Sequence, residues 1–182
     1  MAGNSKWLKK QRSSWRYQLR RVIQATVLKR WLKHNFSITV KGTENLVGLP
    51  TNKGFIIVAN HQSHLDAPLL IGSLPHKIGA RVAVGAAGDY FFRGYWQSKP
   101  TRLLLNTFPI GRRGDKRYQG IAADLIGSGV PILVFPEGTR SRTGKLGNFH
   151  SGAMRIAVAN QTPILPVAMV GNGRAWPVGA KK

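Results

Sequence analysis

One short apolar run ends directly in a cluster of polar, chemically reactive side chains. Residues 55–59 read Phe-Ile-Ile-Val-Ala, and residues 60–66 follow at once as Asn-His-Gln-Ser-His-Leu-Asp. The run is short, β-branched and preceded by turn-forming residues at 52–54, so it predicts a buried strand. Open α/β sheets place their functional groups beyond the carboxyl ends of such strands. The sequence therefore predicts an α/β fold with a site at this edge of the sheet.

His61 and Asp66 are the two residues of this stretch whose spacing favours chemistry. On one continuous helix their side chains would point to different faces and could not meet. A strand end, a bend and a helix whose first turn holds Pro68 can bring Asp66 back to His61. A carboxylate on one imidazole nitrogen fixes the tautomer and raises the basicity of the other nitrogen. The pair predicts a general base that takes a proton from an alcohol attacking an acyl group.

Two other interpretations of the same stretch stay open. Asp66 can simply cap its helix, in competition with Ser63, while His61 is an ordinary loop histidine. His61, His64 and Asp66 can also contribute to a metal site. Three ligands from one bend would need a distant fourth, and the chain has no cysteine to supply it. We therefore expect no metal and no resident cofactor.

Further apolar runs and turn residues predict the rest of the sheet. Strands are expected over 81–85, near 106–110, over 131–135 and over 164–170, with a half-exposed strand over 36–41. Helices are expected from the His-Asp bend to Ser73, from Asp115 to Gly127 and from Ser151 to Asn160. Pro166 inside the last run indicates an edge strand or a bulge. These elements predict a mixed, mostly parallel central sheet flanked by helices, in a domain covering residues 36–182.

Residues 1–35 precede this domain and predict a basic amphipathic helix. They carry ten Lys or Arg side chains and no acid. Apolar side chains recur at helical spacing: Trp15, Leu19, Val22, Ile23, Val27 and Trp31. A basic helix with Trp on its apolar side is suited to an anionic lipid headgroup layer. The same apolar stripe can also pack on the domain, and both can hold at once.

The composition restricts the partners of the chain. Its 182 residues suit one domain, and 28 Lys and Arg against 6 acids give a formal charge of +22. Such a field requires an anionic partner, either a phospholipid surface or nucleic acid. The sequence shows no nucleic-acid module, so we expect no nucleic-acid partner. No apolar run is long enough to span a membrane and no signal peptide is evident, so we expect peripheral contact with the membrane.

Two more predicted strands end in polar residues with arginines. Arg112 and Arg113 follow the strand near 106–110 in a glycine-flanked loop, and two guanidiniums held in this way suit a phosphate. Beyond the strand at 131–135, Glu137 can accept hydrogen bonds from hydroxyl groups and Arg140 can hold an anion. The carboxyl ends of parallel strands share one edge, so we expect these groups near His61.

In the stretches described above, the chain resembles the glycerophospholipid acyltransferase family, which includes the lysophosphatidic acid acyltransferases. Residues 60–66 match its motif Asn-His-x-Ser-x-x-Asp, and residues 135–141 match its third motif. Residues 108–112 and 163–167 resemble its second and fourth motifs. The resemblance implies transfer of a fatty acyl group from acyl-CoA or acyl carrier protein to a lysophospholipid hydroxyl, converting lysophosphatidic acid to phosphatidic acid. It implies neither an acyl-enzyme nor a metal.

The resemblance also implies roles for individual residues. His61 is the general base and Asp66 orients it, while the fourth motif helps to shape the acyl site. The phosphate and glycerol parts of the acceptor are bound by Arg112, Glu137, Gly138, Thr139 and Arg140. Gly111 stands where the family commonly has an acidic residue, and Arg113 follows. Which of the two arginines binds the phosphate therefore stays open. The identity of the acceptor stays open as well, since it can be a different lysolipid or an amino-acid lipid.

The expected protein is a bacterial enzyme bound peripherally to the cytoplasmic face of the membrane. Its partners would be the anionic membrane surface, a lysophospholipid and an acyl-CoA or acyl carrier protein co-substrate. A basic protein that only binds nucleic acid or anionic membranes is the non-enzymatic alternative. The chain ends soon after the fourth motif, where relatives continue, so we also expect a truncated C-terminus.

Overall fold

A parallel five-stranded sheet organises the fold. The computed structural model describes residues 13–87, 102–111 and 120–175. The strands are β1 (Ile56–Ala59), β2 (Ala83–Ala87), β3 (Phe108–Ile110), β4 (Ile132–Val134) and β5 (Ile164–Val167). Their order across the sheet is β3-β2-β4-β1-β5, and each neighbouring pair is parallel. This confirms the predicted α/β fold with its mostly parallel sheet.

Helices cover both faces of this sheet. They are α1 (Ser14–Ile23), a π-helical turn (Gln24–Leu28), α2 (Lys29–Asn35), a 3-10 turn (Thr43–Leu46), α3 (Asp66–Ser73), α4 (His76–Gly79), α5 (Ile121–Gly127), α6 (Gly152–Ala159) and α7 (Asn172–Ala175). Successive β1 residues point to opposite faces. Ile57 packs in one apolar cluster with α2 and α3, whereas Ile56 packs in a second cluster with α5. A strand buried on both faces explains the continuous apolar run that predicts it.

The parallel register brings three strand ends to one edge. Val58 of β1 lies opposite Val134 of β4, and Ala59 of β1 lies opposite Val167 of β5. The segments that follow these three strands therefore begin side by side. Residues 60–66, 135–141 and 168–172 meet there, although more than a hundred positions separate the first from the last.

Three predictions of secondary structure need comment. The predicted strand at 36–41 is wrong, because these residues form no strand and all but Phe36 are exposed. Alternation of apolar and polar residues indicates an extended backbone, but a strand also needs a neighbour to exchange hydrogen bonds with. The predicted helix start at Asp115 lies outside the described residues. The edge position that Pro166 indicates is confirmed, since β5 ends the described sheet beside β1.

The N-terminal helices pack on the domain through a face that the apolar stripe does not predict. Leu28 and Leu32 lie in the core beside α3. Arg20 is buried and donates from Nε to the carbonyl of Ala80 at 2.6 Å, and Gln24 donates to the carbonyl of Leu104 at 2.7 Å. Burial, reinforced by the charge of Arg16, lowers the pKa of Arg20 to about 10. The helix therefore turns two polar side chains inward and leaves its apolar stripe outside.

Candidate active site

The structure brings His61 and Asp66 together as the sequence predicts. The bend after β1 folds back, so that Nδ1 of His61 lies 2.7 Å from Oδ2 of Asp66. The Asp66 side chain has no exposed surface, whereas that of His61 is 22% exposed. A carboxylate at Nδ1 favours the tautomer with its proton on that nitrogen. Nε2 of His61 then carries the lone pair that can accept a proton.

Asp66 also determines the conformation of the bend itself. Its Oδ2 accepts hydrogen bonds from the backbone N–H groups of Gln62 at 2.7 Å and Ser63 at 2.9 Å. The helix α3 has no side-chain cap, since Asp66 bonds to the residues before the helix. Ser63 is buried, and its hydroxyl accepts from the N–H of Leu65 at 3.1 Å. The interpretation of Asp66 as a simple helix cap is therefore wrong.

The pKa of Asp66 reflects two opposing effects. Burial by itself would raise this pKa, because it disfavours the charged form. Hydrogen bonds from His61, Ser63, Asn172 and Gln62 act in the other direction and hold the pKa below its ordinary value of 3.8. Asp66 is thus an anion at neutral pH.

The loop after β4 holds His61 from the other side. The Phe135 ring stacks on the imidazole with the ring centroids 4.0 Å apart and an angle of 15° between the planes. The His61 carbonyl accepts from the N–H of Ser141 at 2.7 Å. The sequence places Phe135 at the end of a predicted strand but does not show that this strand lies beside β1, so its contact with His61 was not predicted. These contacts leave the imidazole little freedom to rotate.

Glu137 uses its carboxylate to join two loops. Its Oε1 accepts from the backbone N–H of His61 at 2.6 Å, and its Oε2 accepts from the N–H of Gly147 at 2.8 Å. The side chain is buried. The observed partners of Glu137 are therefore backbone groups that fix the site, and its binding of substrate hydroxyls stays a prediction.

The remaining predicted binding residues fall into two groups. Gly138 and Thr139 are exposed and Arg140 is half-buried, all in the loop that contacts His61. Gly138 has φ +67°, a conformation that favours glycine, and an added Cβ would lie 3.2 Å from the His150 ring. Within the described parts of the chain, the Arg140 guanidinium has no hydrogen bond or ion pair. Arg112 lies outside those parts, together with Arg113.

Two asparagines near the dyad were not predicted to be functional. Asn172 is buried and donates from Nδ2 to Oδ1 of Asp66 at 2.8 Å. The Asn60 side chain accepts from the N–H of Met169 at 2.7 Å and donates to its carbonyl at 3.0 Å. Only the position of Asn60 before the histidine could have drawn attention to it. Asn172 follows β5 without any motif that sequence reasoning could use.

The alternative of a metal site finds no support in the donor geometry. His64 is exposed, in contrast to Asp66. Over residues 13–87, 102–111 and 120–175, no three His, Asp or Glu side chains form a group that could hold a metal ion.

The fold is that of an α/β protein with a parallel sheet. Its site holds a histidine that is oriented by an aspartate, at the edge where the strands have their C-terminal ends. The family model described as Acyltransferase matches residues 37–170. The chain therefore belongs to the acyltransferase family, which confirms the resemblance found in the sequence.

Known relatives agree with this membership. The chain is 31% identical over 146 residues to a 1-acyl-sn-glycerol-3-phosphate acyltransferase of Chlamydomonas reinhardtii, covering 79% of this chain and 42% of the relative. It is 32% identical over 142 residues to a probable enzyme of that name from Mycoplasma pneumoniae, covering 73% and 52%. The chain thus spans about half the length of these relatives.

A solved structure shares the fold. The crystal structure of the 1-acyl-sn-glycerophosphate (LPA) acyltransferase PlsC from Thermotoga maritima superimposes with a TM-score of 0.64 at 30% identity. The match covers 97% of this chain and 70% of that one.

Replacing Asp66 with Asn should destabilise the fold in a pH-dependent way. At pH 7 we expect a loss of roughly 1.5–3 kcal/mol, the usual contribution of hydrogen bonds to a charged group. The folded-state pKa lies below the ordinary 3.8, so the ionised carboxylate stabilises the fold above that pH. This contribution is lost as the pH falls through the lowered pKa. Urea unfolding of both proteins between pH 7 and pH 3 measures the difference.

The exposed Asp124 provides the control for this experiment. Asp124→Asn should change the free energy of unfolding by less than about 0.5 kcal/mol. An Asp66→Asn protein as stable as wild type at pH 7 would contradict the proposed role of the carboxylate.

Proposed function

We propose that this protein transfers a fatty acyl group from an acyl-thioester to the free hydroxyl of a lysophospholipid, converting lysophosphatidic acid to phosphatidic acid. The observation that carries the proposal is the 2.7 Å contact between Nδ1 of His61 and the buried Asp66 carboxylate. It leaves Nε2 as the basic atom at the sheet edge. Membership of the acyltransferase family supports the reaction class, and the names of the relatives support the acceptor.

In the proposed reaction, Nε2 of His61 takes the proton from the acceptor hydroxyl as the oxygen attacks the thioester carbonyl. Asp66 keeps the imidazole in the required tautomer and stabilises the imidazolium that forms. This attack forms the new C–O bond, and collapse of the tetrahedral intermediate re-forms the carbonyl and breaks the C–S bond. The departing thiolate of acyl-CoA or acyl carrier protein takes the proton from His61. The protein forms no covalent bond to the acyl group.

The acceptor phosphate is proposed to bind beside this base. Arg140 lies in the loop that contacts His61, and its guanidinium is unengaged by the described residues, so it is available to an anion. Exposed backbone at Gly138 and Thr139 can approach the same phosphate. Arg112 is proposed as a second ligand from its motif, and Glu137 as a partner of the glycerol part.

His61→Ala should strongly reduce the rate of transfer while leaving the fold intact. We expect turnover to fall by about a hundred- to ten-thousand-fold, the usual contribution of a general base. The measurement mixes purified protein, acyl-CoA and lysophosphatidic acid on anionic vesicles, and follows free thiol together with diacyl product. Parallel reactions with acyl carrier protein as donor test the alternative thioester.

His76→Ala makes the same chemical change at an exposed position on α4 and should retain wild-type turnover. Equal turnover by His61→Ala and wild type would contradict the role of His61. Thiol release without diacyl product would contradict lysophosphatidic acid as acceptor, and other lysolipids and amino-acid lipids would then be compared.

Arg140→Gln should weaken the use of acceptors that carry a phosphomonoester. We expect kcat/KM for lysophosphatidic acid to fall about ten- to a hundredfold, because a charged hydrogen bond to phosphate is lost. With monoacylglycerol, which lacks the phosphate, any turnover should change little. Arg155→Gln, an exposed change on α6, is the matched control. Equal losses with both acceptors would argue against phosphate binding by Arg140.

We further propose that the N-terminal helices hold the enzyme on an anionic membrane surface as a peripheral protein. None of the helices in the described ranges is long and apolar enough to cross a membrane. Five apolar side chains of the predicted stripe are exposed by 39–64%: Trp15, Leu19, Val22, Val27 and Trp31. Basic side chains on the same helices, among them Arg21 and Lys33, can meet lipid phosphates.

Replacing Trp15 and Trp31 together with Ser should weaken binding to vesicles that contain anionic lipid. We expect about tenfold weaker binding or more, because burial of two indole rings contributes well over about 1.4 kcal/mol. Sedimentation with vesicles measures the affinity. Val158→Ser, 74% exposed on α6 across the sheet, controls for loss of apolar surface. Unchanged binding of the double variant, or competition by DNA, would contradict the proposal.

A further inference from the structure

Asn172 contacts the catalytic pair from a distant part of the chain. It is the first residue of α7, which follows β5, and 5% of it is exposed. Its Nδ2 donates to Oδ1 of Asp66 at 2.8 Å, across 106 positions of sequence. The fourth motif ends at residue 167, so Asn172 lies outside all the recognised motifs.

The two oxygens of Asp66 have different partners. Oδ2 receives the His61 ring and the N–H groups of Gln62 and Ser63, whereas Oδ1 receives Asn172. Donors on both oxygens define the plane of the carboxylate, and that plane sets the direction in which Oδ2 faces Nδ1 of His61. Without Asn172, Oδ1 of the fully buried Asp66 would lose its donor, and the plane of the carboxylate would be held through Oδ2 alone.

The chemistry of an amide suits this position. A neutral N–H donor stabilises the anion but offers no acidic proton that could move to Asp66. A Lys or Arg would form a charge-assisted bond, about twice as strong, and would draw negative charge away from His61. An amide therefore orients the carboxylate while leaving its charge available to the imidazolium.

A role of Asn172 in helix capping does not explain these contacts. Asparagine is favoured at helix starts because its side-chain oxygen accepts a backbone N–H. Here the oxygen Oδ1 of Asn172 is buried and has no hydrogen-bond partner among the described residues. Within the described part of the chain, the one hydrogen bond of this side chain goes to Asp66.

The backbone that carries Asn172 is tied to the catalytic bend. Asn60 pairs with both backbone groups of Met169 and so continues the contact between β1 and β5 beyond the last strand residues. Gly171 has φ +81° and turns the chain into α7. The next residue, Gly173, lies so close to the bend that an added Cβ would be 2.9 Å from Oε1 of Gln62.

We propose that Asn172 is a positioning residue that completes a His61–Asp66–Asn172 triad for the acyl-transfer reaction. This inference rests on the proposed function for its kinetic consequence. Because Asn172 is buried and bonded to Asp66, it acts through that carboxylate on the orientation of His61 and not by contact with a substrate.

Asn172→Ala should lower kcat for diacyl product about ten- to a hundredfold, the range found for outer partners that orient a functional side chain. The KM values for both substrates should stay within about twofold, because no binding contact is lost. In an Asp66→Asn background the same change should have much less effect, since the charged carboxylate that it positions is gone. Asn160→Ala removes an amide with a 2.8 Å bond to a backbone carbonyl away from the site, and should leave kcat unchanged.

Asn172→Asp is the second variant, because it keeps the shape of the side chain. Two carboxylates side by side repel each other, so this variant should be at least as impaired as Asn172→Ala at neutral pH. An active Asn172→Asp protein, or equal losses from Asn172→Ala with and without Asp66, would overturn the proposal.

Proton NMR of the His61 ring separates this inference from the proposed reaction. The Nδ1–H resonance of wild-type protein is assigned by its absence from His61→Ala. In Asn172→Ala this resonance should shift or disappear through faster exchange with water, whether or not any acyl transfer is detected. An unchanged resonance would refute the positioning role, whereas a wild type without turnover would refute only the proposed reaction.

Discussion

The buried carboxylate of Asp66 is the constraint on which the site depends. A charged group without exposed surface is very costly unless its oxygens are hydrogen bonded. Asp66 meets this requirement with donors from the bend before it, from His61 and from Asn172. The shape of the bend, the tautomer of the histidine and the approach of the segment after β5 all follow from that requirement.

Glu137 is a second buried carboxylate that needs hydrogen-bond donors. This buried carboxylate accepts backbone N–H groups of His61 and Gly147, so it joins the bend after β1 to the loop after β4. With Phe135 against its ring, His61 is held by a carboxylate, an aromatic face and its own backbone. Such a histidine does not need to reorganise when charge develops on it, which is the condition for efficient electrostatic stabilisation.

The N-terminal helices show an unusual distribution of polarity. Arg20 and Gln24 point into the protein, whereas Trp15 and Trp31 are exposed. In water alone this arrangement is unfavourable, because it buries a cation and leaves indole rings solvated. At a lipid surface the exposed rings gain an apolar environment, and the basic side chains gain anionic partners. This distribution supports the proposed attachment of the helices to a membrane surface.

Short-range patterns were enough to predict the buried strand, the bend and the contact between His61 and Asp66, because those features depend on residue types within a few positions. The same reasoning failed at 36–41, where a strand required a neighbour that the sequence does not reveal. The stacking of Phe135, the backbone partners of Glu137 and the contact of Asn172 arise only when parallel β4 and β5 are placed beside β1. Strand register is a long-range property, so only the tertiary structure could decide which side chains from three separate segments surround one histidine.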